Sequence, residues 1–511
     1  MLGLLILLVI IFALVIGLDY YNHYKDPRRI IDRIFPGPFR IPIVGNALIA
    51  ACSREAFYRV YLNLSKSYDY KPFRLWFLKQ PYVFISDYEN TKKILSSNDL
   101  LDKAEDYRYF EPWLGQGLLT SKGDKWRRDR KIITPAFHFQ ILHRFFQIFY
   151  DNGEIFCEKL TAHDGGDVFD VFEYIEMLTL DNLCNAALKL DIQAQLNPFS
   201  ALVCAIQNMG VVIYNRIFTL WLRYDAMFRL SSTARLQKKC LEIIHGNDVK
   251  IIRERKEEMK TKQPKLKTME FDEKEKVAFL DLLLEMQDDV GYTDEDIREQ
   301  LDTFMFAGHD TVTATLGFLI YSLAEHPDVQ EKVYRELLDI YGESERCPNF
   351  SDLQDMKYTE QVIKETLRLY TVVTAVARRV EEDFELSEHQ VVPKGVEIVL
   401  LLSALHRNPE IFPNPDIFDP DRFSPEVNQE RDSFAFVPFS AGSRNCIGQK
   451  FAMHEMKITV YKIVKKFKLS ISDKPEDKVR TRTGVVLSST NGIRIKVQSR
   501  KKKTPSKLAD Q

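Results

Sequence analysis

The chain has 511 residues, of which 45% are hydrophobic and 28% are charged, and its formal net charge is -2. This composition is typical of a globular protein with a large core, and the near-neutral charge gives no reason to expect a nucleic-acid partner. The seven cysteines include no Cys-x-x-Cys pair, so their scattered set favours a reducing compartment over a zinc ribbon or a disulfide framework. No linker or repeat divides the middle of the chain, and we predict one large domain.

The N-terminal residues 1–18, MLGLLILLVIIFALVIGL, carry no charge and approach the roughly 20 apolar residues that span a bilayer. A cleaved signal peptide would have a basic segment before this run and small residues after it. Here bulky residues follow, and the basic residues Lys25, Arg28, Arg29 and Arg33 lie after the run, which places the body in the cytoplasm. We therefore predict an uncleaved anchor over residues 1–20 and a linker over residues 21–46 with a proline-rich hinge, PGPFRIPIVGN.

Residues 47–498 are predicted to form a mainly α domain with a smaller β portion. FRLWFLKQPYVFISD alternates like a β-hairpin around residues 79–81, helical periods dominate from about Tyr88 to Met356, and strands return near VEIVLLLSAL and GVVLSSTNGIRIKVQ. Residues 250–276 are charged, as expected of a solvated helix end and surface loop. The basic tail, residues 499–511, is predicted to be disordered, and we favour an inert tail over one that binds anionic lipid.

Two helical segments carry candidate functional residues. WRRDRK places Trp126 and Arg130 four residues apart on one helical face. TDEDIREQLDTFMFAGHDTVTATLGFLIYSL predicts a long helix that begins with a capping box at residues 293–296 and contains Ala307, Asp310 and Thr311. The residues alone leave two interpretations open, a tightly packed helix whose Thr311 hydroxyl bonds to its own backbone, or a reactive groove.

FSAGSRNCIGQ places Cys446 among small residues, directly before a predicted helix. Gly442 permits a turn that is closed to other residues, and Gly448 lets a flat partner approach the start of the helix. The helix N-terminus favours the thiolate over the thiol, and with Arg444 beside it such a thiolate suits a haem iron whose propionates are anionic. A catalytic cysteine with a histidine base and a buried thiol in a turn are the alternatives.

The pattern Phe439-x-x-Gly442-x-Arg444-x-Cys446-x-Gly448 resembles the haem-ligand loop of the cytochromes P450, the haem-thiolate monooxygenases. Further segments occur in the family's order, so the resemblance covers nearly the whole chain after the anchor. It implies the cytochrome P450 fold and a haem b whose iron is bound by the Cys446 thiolate. WRRDRKIITPAFHF, FLDLLLE, LDTFMFAGHDT and HRNPEIFPNPDIFDPDRF resemble the fourth family, most closely its insect branch.

The same resemblance assigns further residues to the haem. Trp126 and Arg130 are expected to reach a haem propionate, and Arg378 is expected to reach another, although Arg379 beside it fits the pattern almost as well. A network of three charged residues, Glu365, Arg368 and Arg422, is expected to hold the ligand loop from behind, which is a structural role.

The resemblance also interprets the groove of the long helix. Ala307 leaves room for dioxygen, Thr311 is expected to deliver a proton during oxygen activation, and Asp310 is expected to connect it to a proton supply. Many family members carry a glutamate at the position of Ala307 that forms an ester with the haem, so the haem here is expected not to be ester-linked. Val312 replaces a common Thr or Ser of the family, which removes a spare hydroxyl. The segment YTVVTAVAR lacks the family's usual prolines, so the strand over the haem is expected to differ in shape.

The implied activity is insertion of one oxygen atom from O2 into an apolar substrate, namely a fatty acid, hydrocarbon, hormone or xenobiotic. The electrons are expected from NADPH through NADPH–cytochrome P450 reductase, with cytochrome b5 as an optional donor, at the cytosolic side of the endoplasmic reticulum membrane. Arg127, Arg128 and Lys131 either present positive charge to the reductase or form a solvated helix face.

Two alternative functions remain. One is a haem-thiolate isomerase or dehydratase acting on peroxides, which would need no acid–alcohol pair, and the other is a non-catalytic haem sensor. Substrate contacts are expected in the apolar segment KAEDYRYFEPWLGQGLL, at Phe306, at residues 372–376 and at residues 486–487.

Overall fold

The computed structural model describes residues 2–266, 279–429 and 431–500. The predicted basic tail after residue 500 and the end of the charged segment, residues 267–276, lie outside these ranges. The rest is mainly helical with small sheets, as the sequence predicts. The longer helices, numbered in chain order, are α1 Leu2–Lys25, α2 Arg54–Ser67, α3 Tyr88–Ser96, α4 Gly123–Ile133, α5 Phe145–Thr161, α6 Phe172–Leu183, α7 Ala201–Phe218, α8 Ser232–Leu266, α9 Phe279–Glu285, α10 Asp294–Glu325, α11 Pro327–Tyr341, α12 Lys357–Leu369 and α13 Gln449–Lys466.

Helix α1 contains the apolar N-terminal run and continues to Lys25, five residues past the predicted end of the anchor at residue 20. Its residues up to Leu18 are almost all exposed, as expected of a helix whose apolar surface is meant for lipid. Near its end, Asp19 is buried and accepts hydrogen bonds from both terminal nitrogens of Arg40, at 2.8 and 3.0 Å. Helix α7 is also long and apolar enough to cross a membrane, but it is partly buried and packs against α8.

The strands are β1 Phe73–Phe77, β2 Gln80–Ile85, β3 Phe169–Asp170, β4 Val376–Arg379, β5 Phe384–Ser387, β6 Gln390–Val392, β7 Glu397–Leu400, β8 Phe467–Ser470, β9 Thr481–Arg482, β10 Ser488–Ser489 and β11 Arg494–Ser499. They form a four-stranded sheet in the order β1-β2-β7-β4, a three-stranded sheet in the order β3-β11-β8, and the pairs β5-β6 and β9-β10. In the larger sheet only β2 and β7 are parallel, with Phe84 opposite Val399.

The hairpin predicted from its alternating pattern is confirmed, with β1 and β2 antiparallel and Phe73 opposite Phe84. Its turn lies at residues 78–79 and therefore begins one residue before the expected turn at residues 79–81. Leu78 takes up a positive φ of 58° in this turn. The strand expected near VEIVLLLSAL is confirmed as β7. The same stretch then forms a short helix at Leu402–Leu405.

Helix α10 runs through the middle of the main hydrophobic core. Its N-terminus is the predicted capping box, in which the Thr293 side chain accepts from the backbone of Asp296 while the Asp296 side chain accepts from the backbone of Thr293. Helix α10 packs against α6, α8, α12 and α13, and nearly every residue from Ile297 to Ala324 is buried. Ala307 is an exception, since it is exposed within this buried helix. The exposure of Ala307 marks the interior cavity of the protein.

Candidate active site

A single cavity of about 1080 Å³ joins the middle of α10 to the segment before α13. Its walls are mostly apolar, and they bring together Cys446, Phe439 and Gly448 from one end of the chain with Ala307 and Thr311 from α10. Phe306 and the predicted apolar positions 372–376 and 486 also lie in the wall. Cys446 is accessible only because it faces this cavity, deep inside the protein. The volume is at the upper end of the range of ordinary ligand pockets.

The loop before α13 is shaped by its glycines. Gly442 has a φ of +69°, and a Cβ at this position would overlap the carbonyl oxygen of Leu95, so that both the conformation and the space demand glycine. The loop closes where the Cys446 N–H donates to the Phe439 carbonyl at 2.8 Å. A Cβ at Gly448 would lie 3.9 Å from the Cys446 sulfur and meet no other neighbour within 4 Å. The glycine therefore keeps the face beside the sulfur open.

Burial raises the pKa of the Cys446 thiol above its ordinary value. The Gly448 N–H and the Arg130 guanidinium act in the opposite direction, as the helix-terminus argument expects, but they are the smaller causes. Desolvation of the charged sulfur thus outweighs the N–H group and the arginine when no metal is bound. A bound metal ion would deprotonate the thiol outright.

Lys103, Arg130 and Arg444 line the cavity near the cysteine loop, and a fourth cation, Arg378, lies close to Lys103 and Arg444. Arg378, Arg444 and Lys103 are buried, and Arg130 is half-buried. Within the described ranges, none of the four has an aspartate or glutamate within 4.0 Å. Burial lowers the pKa of each cation, and Arg378 adds to this effect at both Lys103 and Arg444, lowering the pKa of Arg444 to about 9. Such a cluster requires an anion, because buried charges are tolerated only when they are compensated.

Neutral groups position the cations. The Arg444 guanidinium stacks over the Trp126 ring at 4.1 Å and donates to the Leu118 and Ser121 carbonyls. Its Nε has no hydrogen-bond partner in the part of the chain that the structure describes. Arg130, one turn after Trp126 on α4, donates to the Asn445 carbonyl at 2.9 Å and to the Asn445 side-chain oxygen at 2.6 Å. The predicted pair on α4 is thus brought to the cysteine loop, where Arg130 holds the residue next to Cys446.

The structure shows which of the neighbours Arg378 and Arg379 faces the interior, and the sequence did not distinguish them. Alternation along β4 turns Arg378 inwards, where it is 2% exposed, while Arg379 turns outwards. Arg379 forms ion pairs with Glu105 at 3.0 Å and with Glu381 at 2.9 Å. Arg378 is therefore the one of these two arginines that faces inwards and forms no ion pair within the described ranges.

On α10, the cavity is bordered by Ala307, Gly308 and Thr311. A Cβ on Gly308 would press into Leu183, so this glycine serves close helix packing. The Thr311 hydroxyl donates to the Ala307 carbonyl at 2.8 Å, which is the local hydrogen bond considered from the sequence. The same hydroxyl borders the cavity, and its lone pairs remain available to accept a hydrogen bond there.

Comparison with known proteins places the chain in a family. A cytochrome P450 family model matches residues 35–497. Cytochrome P450 4c21 of Blattella germanica is 40% identical over 477 residues, 92% of this chain and 94% of that protein. Cytochrome P450 4V2 of Homo sapiens is 41% identical over 465 residues (90% and 88%), and cytochrome P450 4c3 of Drosophila melanogaster is 36% identical over 504 residues (96% and 93%). The chain belongs to the cytochrome P450 family.

This protein is therefore a cytochrome P450 monooxygenase of the fourth family, and the resemblance inferred from its motifs is confirmed. Its relatives include the insect members that the sequence predicts, although a human member is equally similar. The family implies a haem bound through a thiolate. The residues present fit that group, because one cysteine faces an open, glycine-lined surface beside four cations that lack carboxylate partners, and haem carries two carboxylates.

Asp310 lies on the other side of α10 from the cavity of this cytochrome P450. Its side chain is 34% exposed, its Oδ2 faces Gly210 of α7, and its Oδ1 is 3.9 Å from His309 Nδ1. Burial raises the pKa of Asp310. Glu176 of α6 is near, since its carbonyl lies 3.3 Å from His309 Nε2, and burial raises the pKa of its carboxyl as well. Of the predicted acid–alcohol pair, Thr311 thus borders the cavity, whereas Asp310 lies outside its lining and faces α7.

The charged network behind the loop is assembled as expected. Arg368 donates to both oxygens of Glu365 at 2.7 and 2.8 Å, and Arg422 Nε lies 3.6 Å from Glu365 Oε1. Arg368 also donates to the carbonyl of His406, whose Nε2 accepts the backbone N–H of Val437 at 3.0 Å. Because burial lowers the pKa of His406 to about 3, its ring is neutral and able to accept this bond. The network therefore reaches the segment that leads into Phe439.

Sequence reasoning missed Lys103, Asn445 and His406. Lys103 was included only in a segment assigned to the substrate, and its burial beside Arg378 and Arg444 could not be foreseen from neighbouring residues. Asn445 lies inside the predicted loop, and its position next to Cys446 was the feature of the sequence that could have identified it. His406 carried no signal, because its partners come from segments far apart in the chain.

The other end of the cavity opens to the surface. Leu48, Cys52 and Trp221 border it and are exposed there. The lining near this mouth also includes Arg54 and Arg223, and Arg223 forms an ion pair with Asp106. The cavity thus leads from an exposed rim to Cys446.

Proposed function

We propose that this cytochrome P450 oxygenates a long, largely apolar molecule at the inner end of the cavity. The observation that carries the proposal is that Cys446, Ala307 and Thr311 border one apolar cavity whose other end reaches the surface. A fatty acid, hydrocarbon, hormone or xenobiotic of elongated shape fits such a cavity. The motifs do not distinguish these classes, because they all lie at the inner end.

The bound haem supplies the activation of dioxygen and the transfer of one oxygen atom. Cys446 is the residue that would bind its iron, and Arg130, Arg378, Arg444 and Lys103 would compensate its carboxylates. Trp126 orients Arg444 by stacking, and Phe439 borders the cavity beside the sulfur.

The remaining residues leave room for dioxygen and transfer protons. The small side chain of Ala307 leaves room beside α10, and the Thr311 hydroxyl holds a proton at the cavity wall. Asp310, with its raised pKa and partial exposure, takes up protons from solvent and passes them round the helix to Thr311 through water. The apolar walls exclude other water from the inner end, which limits the side reactions of activated oxygen.

The haem is proposed to be held without an ester bond. An ester requires a carboxylate on α10 that borders the cavity, and the exposed position on that face is Ala307. The buried cations and the thiolate then retain the haem by non-covalent and coordinate bonds alone.

The electrons are proposed to come from NADPH–cytochrome P450 reductase, with cytochrome b5 as an additional donor, at the cytosolic face of the endoplasmic reticulum membrane. Helix α1 supports membrane attachment. Of the basic residues proposed to face the reductase, Arg127 and Arg128 already pair with Asp124 and Asp129, at 3.2 and 3.1 Å, while Lys131 is exposed. Lys131 is therefore the best single probe of a reductase surface on α4.

The proposed function is tested with the full-length protein in lipid, together with reductase and NADPH. Long-chain acids, alcohols and alkanes are supplied under ¹⁸O₂, and the products are analysed for one labelled oxygen. We expect labelled product and NADPH consumption that both depend on the reductase. A fatty-acid hydroperoxide supplied without NADPH or reductase is the matching test of the isomerase, which would convert it to products that carry no ¹⁸O. The absence of product in both assays would favour a haem sensor.

A further inference from the structure

We propose that Asp248 of α8 and Asp302 of α10 share one proton, and that this proton holds the two helices together behind the cavity wall. Loss of the proton at higher pH would drive the helices apart and loosen the cavity. This inference goes beyond the proposed function, because it concerns how the cavity closes and holds for any ligand that enters it.

Both carboxyl groups are fully buried. Asp302 uses both of its oxygens, since Oδ1 accepts from Trp113 Nε1 at 2.8 Å and Oδ2 accepts from Arg298 Nη1. Neither oxygen of Asp248 has a hydrogen-bond donor within the described ranges. The Asp248 carboxyl instead lies within hydrogen-bonding distance of the Asp302 carboxyl. Because an ionised carboxylate has no proton to donate, this contact is a hydrogen bond only when one of the two groups is protonated.

The positive charge near the pair compensates one carboxylate and not two. Arg298 is the cation that contacts Asp302, and it is itself buried. It also pairs with Glu295 at 2.6 Å, so its charge is already shared. Burial raises the pKa of Asp248 and of Asp302 above their ordinary values, and the proximity of Asp248 raises the pKa of Asp302 further. A second buried anion without a partner would be costly, so we expect the pair to keep one proton near neutral pH.

The other titratable groups that face the pair are neutral. His245 of α8 has its Nε2 3.6 Å from Asp302 Oδ2 and 3.2 Å from the Trp113 carbonyl. Burial and a nearby arginine lower the pKa of His245, so its ring is uncharged at neutral pH and donates to that carbonyl. Cys184, directly after α6, faces Asp248, and burial raises the pKa of its thiol. Neither group therefore supplies a positive charge for the second carboxylate.

The pair lies one layer behind the cavity wall. The Trp113 ring, held by Asp302, packs against Phe306 with ring centroids 5.4 Å apart, and Phe306 lines the cavity. Helix α8 packs along α7, which contributes Tyr214 and Phe218 to the same lining. With the proton present, a hydrogen bond joins α8 to α10. Without it, two anions repel each other in a medium of low dielectric constant, and separation of the helices lets water reach them. The cavity should therefore open more readily at high pH.

The test uses Asp248→Asn in the full-length holoprotein. Asparagine has nearly the same shape, and its amide donates to the Asp302 carboxylate at every pH, so the bond no longer depends on a proton. In an infrared difference spectrum at pH 7, the wild type should show the absorption of a protonated carboxyl group that the variant lacks. In the wild type this absorption should disappear as the pH rises. Asp248→Ser, whose hydroxyl also donates at every pH, repeats the comparison in a second variant.

The rate at which carbon monoxide binds to the reduced haem measures how often the cavity opens. Carbon monoxide is uncharged at every pH, so the ligand itself does not titrate. Above the pH at which the pair loses its proton, the rate in the wild type should rise by up to about 10-fold per pH unit, and in Asp248→Asn it should change less than about 2-fold over the same range. Glu242→Gln is the control, because it removes a carboxylate from the same helix that is 66% exposed and lies 4.0 Å from Lys238. This control should behave like the wild type in every measurement.

Thermal unfolding gives an independent check. From about pH 4 up to the raised pKa of the pair, the folded state binds more protons than the unfolded state, so the wild type should lose stability as the pH rises through this window. Asp248→Asn should flatten this loss and unfold at a higher temperature than the wild type at pH 8.

Two results would overturn the inference. If the infrared spectra of the wild type and both Asp248 variants agree, the pair holds no proton and the inference is wrong from its first step. If the absorption is lost in the variants but carbon monoxide binding depends on pH as it does in the wild type, the shared proton does not control the cavity. Retention of the carbon-monoxide spectrum shows that each variant is folded.

Discussion

The two ends of the cavity differ in how their charges are treated. At the inner end, Lys103, Arg378 and Arg444 are buried close together, with no carboxylate within 4.0 Å among the described residues. At the mouth, Arg223 has an acidic partner, and Arg54 has none among the described residues. The inner end thus requires a permanently bound anionic group, such as the two haem carboxylates. The mouth has one positive charge that is available to a ligand that binds reversibly. A buried charge without a partner in the protein therefore indicates a position where another group binds. The depth of that charge below the surface helps to distinguish a cofactor site from a substrate site.

The largest expected effect concerns the sulfur at the inner end. Cys446→Ser should abolish the thiolate-type absorption band of the carbon-monoxide complex and all NADPH-dependent product, because a serine hydroxyl cannot replace the thiolate donor. The spectrum of the reduced protein under carbon monoxide measures this. Cys157→Ser is a control, since Cys157 is fully buried on α5 and is not part of the cavity lining, so this variant should keep the band. A folded Cys446→Ser protein with the thiolate band would show that the iron ligand is another residue.

Thr311→Ala should separate oxygen consumption from product formation. The variant should still consume NADPH with substrate present, but release more hydrogen peroxide and form less product, because proton delivery contributes on the order of 10²–10⁴-fold. Bypass through water would reduce this effect. The measurement is the ratio of product to NADPH consumed, beside peroxide release.

Thr313→Ala is the matched control for that experiment. Thr313 lies two residues further along α10, but it is buried and hydrogen-bonded to Thr179 of α6, away from the cavity. Its loss should lower stability and leave the ratio unchanged. An unchanged ratio in Thr311→Ala as well would leave Thr311 with only its bond to the Ala307 carbonyl.

Lys103→Met should weaken haem retention and alter the pH dependence of the haem-free protein. Burial and repulsion by Arg378 and Arg444 lower the pKa of Lys103 well below its ordinary 10.5. The unfolded state therefore binds more protons than the folded state between the lowered pKa and 10.5, so the stability of the haem-free wild type should rise with pH in this window. Lys103→Met should flatten that rise.

Thermal unfolding of the haem-free protein as a function of pH measures the effect of Lys103. Lys66→Met, which removes an exposed lysine on α2, is the control and should keep the wild-type pH dependence. A pH dependence that is the same in Lys103→Met and the wild type would mean that Lys103 finds an anion within the protein itself.

The smallest effect is expected at Ala307. Acid and organic solvent should extract all haem from the wild type, because position 307 has no carboxylate. Ala307→Glu should make part of the haem resistant to extraction, and Ala307→Gln, of nearly the same size, should not. Haem that stays with the denatured wild-type polypeptide would show that another residue forms a covalent bond.

The sequence alone predicted much of the inner end. Cys446, Gly442 and Gly448 are close in the chain, so their spacing already specifies a turn, an open face and a helix start. The pair Trp126 and Arg130 could be predicted in the same way, because residues four apart share a helical face. The long helix α10 was predictable from its capping box and its periodicity.

The tertiary structure decided which side chains are buried and unpaired. Arg378 and Arg379 are neighbours, and only the pairing of β4 with β7 shows that Arg378 faces inwards. Asp310 and Thr311 are neighbours as well, yet the rotation of roughly 100° between successive residues of a helix leaves Thr311 at the cavity and Asp310 outside its lining. Lys103 and Asp248 gain their significance from residues far away in the chain. Sequence determines local geometry and chemical type, whereas burial and charge compensation depend on every segment that packs around a residue, and so they appear only in the folded protein.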